Sequence, residues 1–331
     1  MLSFAAAVLS GFIFLVWGAD RFVVGAAGTA RNLGVSPLVI GLTIVGFGTS
    51  APEMIVSGVA AWQGNPGLSV GNAIGSNITN IALVIGVTSM ITPLNVHSQT
   101  LKRELPLLLG VMALSLFLLL DRDLSRLDGI ILLSGFAALL YWMTLIGIRT
   151  RHCNPDAGVA DQACDPLAME FAEEVPKDIS LSAGVLWIVV GLVVLLLSSH
   201  ILVWGAVNMA RTFGVSDLVI GLTIVAIGTS LPELAASVAS AVKKEHDIAL
   251  GNVLGSNMFN LLAVMGLPGL IRPFRVDGEV LSRDYPVMIT LTVALFVMAY
   301  GFRGPGRVNR VEGTALLLCF IGYEAFLYMA S

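Results

Sequence analysis

The sequence predicts an all-α integral membrane protein, with ten transmembrane helices arranged as two inverted five-helix repeats. Of its 331 residues, 56% are hydrophobic and only 12% are charged. The mean hydropathy of +0.88 lies outside the range of soluble domains. Apolar runs of about 20 residues, enough to cross a hydrocarbon layer of roughly 30 Å, recur ten times along the chain. Because one sequence pattern occurs in both halves, the runs form two sets of five.

The ten apolar runs are separated by charged or Pro/Gly-rich breaks, and they are numbered spans 1 to 10 in chain order. Their approximate bounds are Leu2 to Ala30, Pro37 to Trp62, Leu68 to Ile91, Leu105 to Leu120, Leu127 to Ile148, Leu181 to Ala210, Leu218 to Val242, Ile248 to Ile271, Tyr285 to Gly301 and Val311 to Tyr328. The sequence thus predicts a first repeat (1–150), an acidic linker (151–180) and a second repeat (181–331). The linker has the composition of a solvated tether, and it lacks the ligand pattern of a calcium-binding loop.

A stretch of 20 residues occurs once in each half. Residues 34–53 read GVSPLVIGLTIVGFGTSAPE and residues 214–233 read GVSDLVIGLTIVAIGTSLPE, so 16 of 20 positions are identical at an offset of 180. The repeat continues into the next span, where GNAIGSNITN (71–80) matches GNVLGSNMFN (251–260). Because each half contains five spans, an odd number, the second half enters the membrane from the opposite face. The repeats are therefore predicted to be inverted.

Basic residues are distributed unequally between the two faces of this topology. The face with the loops after the odd-numbered spans holds 11 Lys and Arg residues, and the other face holds 6. Loops rich in Lys and Arg tend to stay in the cytoplasm. We therefore expect the 151–180 linker in the cytoplasm and both termini outside it. The apolar start has no cleavage site, so span 1 is expected to be retained.

Each copy of the repeated stretch ends in a glutamate that lies deep within an apolar run. Glu53 is the only charged residue between Asn32 and Leu101, and Glu233 is the only one between Leu218 and Val242. A carboxylate at this depth is energetically unfavourable unless it has a partner or a function. We therefore predict that both glutamates are functional.

A proline precedes each glutamate in the motif GTSxPE. Pro52 and Pro232 have no N–H, so the carbonyls of Gly48 and Gly228, four residues earlier, lose their helical donors. Gly46 and Gly48 in the first copy, and Gly228 in the second, make local unwinding of the helix easier. Unwound backbone at membrane depth is tolerated only where it lines a cavity or meets a ligand. Breaks at matching positions of inverted repeats therefore indicate the binding site of a transporter.

Side chains with oxygen atoms cluster around both predicted breaks and along the spans that follow. Around the breaks they are Thr49, Ser50 and Glu53, with Thr229, Ser230 and Glu233; in spans 3 and 8 they are Asn72, Ser76 and Asn80, with Asn252, Ser256 and Asn260. Their four-residue spacings place them on shared helical faces. Oxygen donors without Cys or His suit hard cations such as Ca²⁺ and Na⁺ better than zinc or copper. Two carboxylates balance the charge of one Ca²⁺.

The polar and small residues of these motifs also have structural interpretations. Hydroxyl groups in membrane helices often bond to their own backbone, and asparagines can tie helices together. Asn72, Asn77, Asn252 and Asn257 fit either role, and the pairs Gly71/Gly75 and Gly251/Gly255 favour close helix packing. In span 1, Asp20 and Arg21 are expected to neutralise each other or to face an interface rather than to form a site.

The repeated motifs resemble those of the cation/calcium exchanger superfamily, and are most similar to its prokaryotic sodium/calcium exchangers. GFGTSAPE with GNAIGSNITN, and AIGTSLPE with GNVLGSNMFN, resemble that family's two alpha-repeats, and the resemblance covers essentially the whole chain. It implies that spans 2, 3, 7 and 8 form the ion sites while spans 1 and 6 slide across them. The ligands that the resemblance implies are Thr49, Ser50, Glu53, Ser76, Asn80, Thr229, Ser230, Glu233, Ser256 and Asn260, with carbonyls near Gly46 and Ala226.

Two departures from related patterns concern the counter-ion. Well-known members of the family carry an aspartate at one of the positions equivalent to Asn80 and Asn260, where this chain has asparagine at both. The proton-coupled branch typically has a glutamate where this chain has Gly75 and Gly255, which favours Na⁺. The resemblance thus implies antiport of Ca²⁺ against Na⁺ across a prokaryotic plasma membrane. A Ca²⁺/H⁺ or other cation/proton exchanger is the alternative.

Other functional classes fit the sequence less well. The motifs HExxH and GxGD and an Asp-rich phosphate motif are absent, and the four histidines are not paired, so we predict neither an enzyme nor a bound cofactor. Two inverted halves in one chain suit alternating access better than a channel of identical subunits. The expected partners are Ca²⁺, Na⁺ and the lipid bilayer, with no nucleic acid, and no oligomeric state is predicted.

Overall fold

The computed structural model describes residues 2–35, 37–64, 66–96, 101–150, 179–213, 226–300 and 306–330. Its α-helices are α1 (Leu2–Leu33), α2 (Pro37–Ile40), α3 (Gly46–Trp62), α4 (Pro66–Thr79), α5 (Gly86–Ile91), α6 (Leu101–Leu119), α7 (Arg126–Thr150), α8 (Leu181–Thr212), α9 (Ala226–Thr229), α10 (Leu231–Val242), α11 (His246–Phe259), α12 (Gly266–Ile271), α13 (Tyr285–Tyr300) and α14 (Arg310–Ala330). Four π-helical segments cover Gly41–Val45, Asn80–Ile85, Asn260–Val264 and Val280–Asp284. The strands are β1 (Leu94–Val96), β2 (Asp123–Leu124), β3 (Phe274–Arg275) and β4 (Gly306–Val308).

Eight of the ten predicted spans appear, within the described residues, as helices long and apolar enough to cross a membrane. Span 4 is the 19-residue helix α6. Span 7 is described from Ala226 onward, as α9 and α10, and its first part lies outside the described residues. Most of the predicted linker, residues 151–178, also lies outside them. The prediction of an all-α membrane protein is confirmed.

Spans 1 and 6, which occupy equivalent places in the two repeats, pack against each other in antiparallel orientation. Gly18 of α1 lies against Leu195 of α8, and Gly25 lies against Ile188, so residue numbers rise along one helix as they fall along the other. Equivalent helices would run parallel if the repeats were related by an axis along the membrane normal. The antiparallel pair therefore agrees with the predicted inversion.

Glycines bring the backbones of spans 1 and 6 close together. A Cβ atom at Gly191 would lie 2.5 Å from the backbone nitrogen of Phe22, whereas one at Gly110 of α6 would meet no described atom within 4 Å. We expect Gly191→Ala to lower the unfolding free energy by about 1–3 kcal/mol through overpacking. Gly110→Ala is expected to be neutral or to stabilise its helix by up to about 1 kcal/mol. Thermal unfolding of the two purified variants checks this, and equal melting temperatures would contradict it.

Spans 5 and 10 begin with the same type of helix cap. Asn309 Oδ1 accepts a hydrogen bond from Glu312 N, and Glu312 Oε2 accepts one from Asn309 N. Ser125 Oγ and the Asp128 carboxylate form the equivalent reciprocal pair at the start of α7. Each pair satisfies N–H groups that the first helical turn leaves free. The caps fix the start of the fifth span in both repeats.

Two short antiparallel sheets join the repeats to each other. Leu94 of β1 pairs with Val308 of β4, and Leu124 of β2 pairs with Phe274 of β3, so each sheet takes one strand from each repeat. β1 and β4 follow odd-numbered spans, whereas β2 and β3 follow even-numbered ones. One sheet therefore lies at each membrane face, as a ten-span topology requires.

Span 8 occupies the centre of the protein. The most apolar 18-residue window of its helical segment is fully buried inside the protein. Gly129 of span 5 packs on Gly266 and Gly269 of span 8, and equivalently Gly313 of span 10 packs on Gly86 of span 3. Spans 3 and 8 are thus each covered by the fifth span of the other repeat. Where spans 3 and 8 face each other, they hold Asn77, Asn80, Asn257 and Asn260.

Candidate ion-binding site

Two glutamates from opposite repeats lie close together in the protein interior. Glu53 of α3 is 2% exposed and Glu233 of α10 is 1% exposed, and the two helices that carry them contact each other. Neither belongs to a salt bridge in the described part of the chain. Two buried carboxylates without a protein cation are neutralised either by protons or by a bound cation. This arrangement agrees with the prediction that the two repeats bring the glutamates together.

The helix that carries Glu233 is interrupted as the sequence predicts. Helix α9 ends at Thr229, Ser230 has φ of −92° and ψ of 6°, and α10 begins at Leu231 with Pro232 in its first turn. Ser199 of span 6 donates a hydrogen bond from Oγ to the carbonyl of Gly228 at 3.1 Å. The carbonyl that the proline deprives of its helical donor therefore has a side-chain donor instead.

The helix that carries Glu53 departs from the prediction. Helix α3 continues through Pro52, and the irregular turn is the π-helical segment Gly41–Val45, before α3. The glycines at its two ends pack on span 8: a Cβ at Gly41 would lie 2.8 Å from the carbonyl oxygen of Ile248. The expected unwinding at Pro52 is therefore wrong. Close contact with span 8, rather than the proline, coincides with the irregular turn.

Thr49 joins the first glutamate helix to span 8. Its Oγ1 lies 3.1 Å from Asn252 Oδ1, 3.4 Å from Ser256 Oγ and 3.2 Å from the carbonyl of Val45. Ser256 Oγ donates to the carbonyl of Gly46 at 3.5 Å. The structure therefore brings three of the predicted ligand positions together: Thr49 and the Gly46 carbonyl from the first repeat and Ser256 from the second.

Asn252 ties span 8 to span 7. Its Nδ2 donates to the backbone carbonyl of Glu233 at 3.2 Å and to Ser237 Oγ at 3.0 Å. With its Oδ1 facing Thr49, Asn252 is satisfied at both ends. The interpretation of this residue as an interhelical tie thus agrees with the structure.

Six buried oxygen atoms at the predicted site make no hydrogen bond within the described residues. They form three pairs at the repeat offset of 180: Oγ of Ser50 and Ser230, Oε2 of Glu53 and Glu233, and Oδ1 of Asn80 and Asn260. Buried polar atoms in native proteins are nearly always hydrogen-bonded. Carboxylate, hydroxyl and amide oxygens are the ligands that Ca²⁺ prefers. This group of oxygens therefore fits the cations that the sequence predicts.

The remaining predicted site residues lie on the same helices. Ser76 is 5% exposed in α4, and no hydrogen bond in the described part of the chain joins it to the other site residues. Thr229 is the half-buried last residue of α9, and Ala226 is its first. Asn80 and Asn260 begin matching π-helical segments, a distortion frequent at functional sites.

Asp20 and Arg21 form an ion pair with each other, and Asp20 also faces another helix, which agrees with both parts of the expectation. Lys243, at the end of span 7, lies 2.6 Å from Asp20 Oδ1, whereas Arg21 Nε lies 3.7 Å from Asp20 Oδ2. The Arg21 guanidinium lies over the rings of Trp17 and Trp187. Asp20 therefore links span 1 to span 7, and Arg21 adds cation–π contacts to its ion pair.

Three residues that contact the site helices, Ser57, Ser199 and Ser237, were not predicted. Ser237 has an equivalent, Ser57, at the repeat offset, and Ser57 Oγ donates to the carbonyl of Val264 at 2.5 Å; this duplication is a signal that the sequence offers. Ser199 is equivalent to Ala19, so no duplication marks it. Only the hydrogen bond from Ser199 to the Gly228 carbonyl shows that Ser199 contacts the interrupted helix of span 7.

Comparisons with known proteins cover nearly the whole chain. The family model described as sodium/calcium exchanger protein matches residues 3–145 and 183–329. The putative antiporter CaxA of Alkalimonas amylolytica is 50% identical over 97% of either chain, and the inner membrane protein YrbG of Escherichia coli is 41% identical over 100% of this chain and 98% of its own. The solved structure of the sodium-calcium exchanger NCX_Mj, soaked with 2.5 mM Na⁺ and 0.1 mM Ca²⁺, matches with a TM-score of 0.80 at 30% identity over 98% of both chains. The similarity therefore includes both repeats.

Proposed function

The chain belongs to the sodium/calcium exchanger protein family, and from this premise we propose that it exchanges Ca²⁺ for Na⁺ across a prokaryotic plasma membrane by alternating access. Members of this family are antiporters rather than enzymes. The observation that carries the proposal is the pair of buried glutamates, one from each repeat, in motifs whose other buried oxygens also lack hydrogen-bond partners among the described residues. Such a site has the charge and the donor atoms for one Ca²⁺.

The proposed ligands come from four helical spans. Glu53 and Glu233 supply the charge, and hydroxyl, amide and carbonyl oxygens complete the six to eight ligands that Ca²⁺ takes. These additional ligands are Thr49, Ser50, Ser76 and Asn80, their equivalents Thr229, Ser230, Ser256 and Asn260, and the carbonyls near Gly46 and Ala226. Na⁺ would compete for overlapping members of the same set.

Coupling follows from the charge of the empty site. Two unneutralised carboxylates cannot move through the low-dielectric membrane interior without a large cost in free energy, so the site changes its exposure only when Ca²⁺ or Na⁺ occupies it. We place the movement in spans 1 and 6, whose apolar cluster includes residues of spans 2 and 7. The Ser199–Gly228 and Lys243–Asp20 contacts connect this pair to the broken span.

An imposed Na⁺ gradient is expected to drive Ca²⁺ transport, whereas a pH gradient alone is not. In proteoliposomes loaded with Na⁺ and diluted into Na⁺-free buffer, we expect ⁴⁵Ca²⁺ uptake that stops when an ionophore collapses the Na⁺ gradient. The asparagine amides at 80 and 260 do not titrate, and residues 75 and 255 are glycines, so few groups near the site can carry protons. The same liposomes with equal Na⁺ on both sides and an imposed pH gradient are the control.

Ca²⁺/H⁺ exchange is the second candidate because a buried glutamate can also carry a proton. Glu53 and Glu233 are buried deeply enough for this role. Uptake driven by the pH gradient in the absence of a Na⁺ gradient would support this candidate and contradict Na⁺ coupling.

We also propose the orientation and location that the distribution of basic residues favours. Both termini lie outside the cytoplasm, and the 151–180 linker between the repeats 1–150 and 181–331 lies inside it. The relative YrbG, named an inner membrane protein, supports the plasma membrane as the location.

A further inference from the structure

Four buried asparagines lie together where spans 3 and 8 meet. We propose that Asn77 and Asn257 are positioning residues, which hold the side-chain oxygens of Asn260 and Asn80 toward the bound cation. The inference rests on the proposed function because it assigns a role beside the same ion site. Asn77 and Asn257 do not themselves contact the cation in this proposal.

Each positioning residue binds the amide group of the other repeat. Asn260 donates from Nδ2 to Asn77 Oδ1 at 3.1 Å, and Asn80 donates from Nδ2 to Asn257 Oδ1 at 3.1 Å. The two hydrogen bonds are equivalent at the repeat offset of 180. All four side chains are at most 1% exposed, so water does not compete for these groups.

These hydrogen bonds decide which atom of each amide faces the site. An asparagine carries its oxygen and its NH₂ group on opposite branches of one planar amide. Fixing Nδ2 against the neighbouring asparagine turns Oδ1 the other way, and Oδ1 of both Asn80 and Asn260 has no hydrogen-bond partner within the described residues. A flipped amide has nearly the same shape, but it would direct N–H groups at the cation. The acceptor oxygen of Asn77, whose own Nδ2 is hydrogen-bonded, disfavours that flip for Asn260. The acceptor oxygen of Asn257 faces Asn80 in the same way, although Nδ2 of Asn257 has no hydrogen-bond partner within the described residues.

The backbone supports the same arrangement. Asn80 and Asn260 each begin a π-helical segment, Asn80–Ile85 and Asn260–Val264. Asn77 is itself oriented, because its Nδ2 donates to the carbonyl of Asn257 at 3.2 Å and lies 3.5 Å from Met288 Sδ. The oxygen that Asn77 offers to Asn260 is therefore held in place by groups of the second repeat.

Double-mutant cycles on Ca²⁺ affinity test the proposal with the purified protein. Asn77→Leu removes the acceptor for Asn260, so the Asn260 oxygen is no longer held toward the cation. We expect Ca²⁺ binding to weaken about tenfold or more, the size of effect that the loss of one hydrogen bond to a charged group can produce. This effect should disappear in an Asn260→Ala background but persist in an Asn80→Ala background. Asn257→Leu should give the reverse pattern. If each positioning residue acts through a single partner in the other repeat, the effects of the substitutions must be coupled in this crossed pattern.

An equal effect of Asn77→Leu in both alanine backgrounds would overturn the proposal, because Asn77 would then act as a general helix tie. Ser115→Ala is the matched control: Ser115 Oγ and Tyr285 OH form another buried hydrogen bond between helices. We expect that variant to lower the melting temperature without changing Ca²⁺ affinity. A tenfold loss of affinity in Ser115→Ala would also contradict positioning.

If Asn77→Leu does not fold, Asn77→Ala removes the same acceptor without adding a branched side chain, and the same cycles apply. A wild-type protein that binds no Ca²⁺ would reject the proposed function. Wild-type binding with an uncrossed coupling pattern would reject only the positioning role.

Discussion

Glutamine in place of Glu53 or Glu233 is expected to abolish Ca²⁺ exchange. Each substitution keeps the shape of the side chain but removes half of the negative charge at the site. Loss of one partner from a buried charge interaction costs about 3–5 kcal/mol, so we expect the rate at low Ca²⁺ to fall by about 100-fold or more. Na⁺-driven ⁴⁵Ca²⁺ uptake into proteoliposomes measures the loss.

The stability of the two glutamine variants separates a lost site from a lost fold. Because both carboxylates are buried outside the salt bridges of the described residues, and each has an oxygen without a hydrogen-bond partner among those residues, a single Glu→Gln change should leave the ion-free protein as stable as the wild type or more stable. Added Ca²⁺ should raise the melting temperature of the wild type only. Glu279→Gln is the control, since Glu279 pairs with Arg283 at the surface. Normal exchange by either site variant would remove that glutamate from the site.

Because Asn80 and Asn260 are uncharged, we expect a fixed ratio of Na⁺ to Ca²⁺ in the exchange. With two carboxylates and uncharged amides, one Ca²⁺ or two Na⁺ neutralises the site, so we expect exchange of two Na⁺ for one Ca²⁺ without net charge movement. A tenfold Na⁺ gradient should then support about a 100-fold Ca²⁺ gradient at equilibrium, whatever the membrane potential. Vesicles clamped at 0 and −100 mV with K⁺ and valinomycin measure this ratio.

A third carboxylate should change the charge balance. Asn260→Asp is expected to favour binding of a third Na⁺, so that one net positive charge crosses the membrane per cycle. The membrane potential then changes the free energy of each exchange cycle by about 2.3 kcal/mol per 100 mV. The ratio of Ca²⁺ concentrations on the two sides of the membrane at equilibrium should then depend on the membrane potential. Asn95→Asp, in strand β1 outside the site, should behave as the wild type. A potential-dependent ratio in the wild type would contradict the two-to-one exchange.

The span pattern and the inversion were predictable because each depends on a local signal. Long apolar runs predict the helices, and the duplicated 20-residue stretch with an odd number of spans predicts the inversion. The π-helical turn Gly41–Val45 was not predictable in this way. Its position coincides with the contact of Gly41 with Ile248, and a single sequence does not reveal which distant helix a glycine will face.

The candidate site was predictable as a set of residues but not as a geometry. Duplication identified Glu53 and Glu233, since both copies place a lone carboxylate in an apolar run. The direction of the amides at Asn80 and Asn260 depends on acceptors that the opposite repeat supplies. Lys243 beside Asp20 is a similar case, because nothing in the span 1 sequence indicates that a lysine more than 200 residues away will lie closer than the neighbouring arginine.

The strand pairs have a consequence for the order in which the protein is made. β1 emerges with the first repeat, but its partner β4 is synthesised about 200 residues later, and the Gly86 face of span 3 is covered by Gly313 of the last span. Since chains are made from the N-terminus, the first repeat has an open strand edge and an uncovered helix face while the second repeat is being translated. Membrane insertion can begin early, but this protein completes its tertiary structure only after its last helix enters the bilayer.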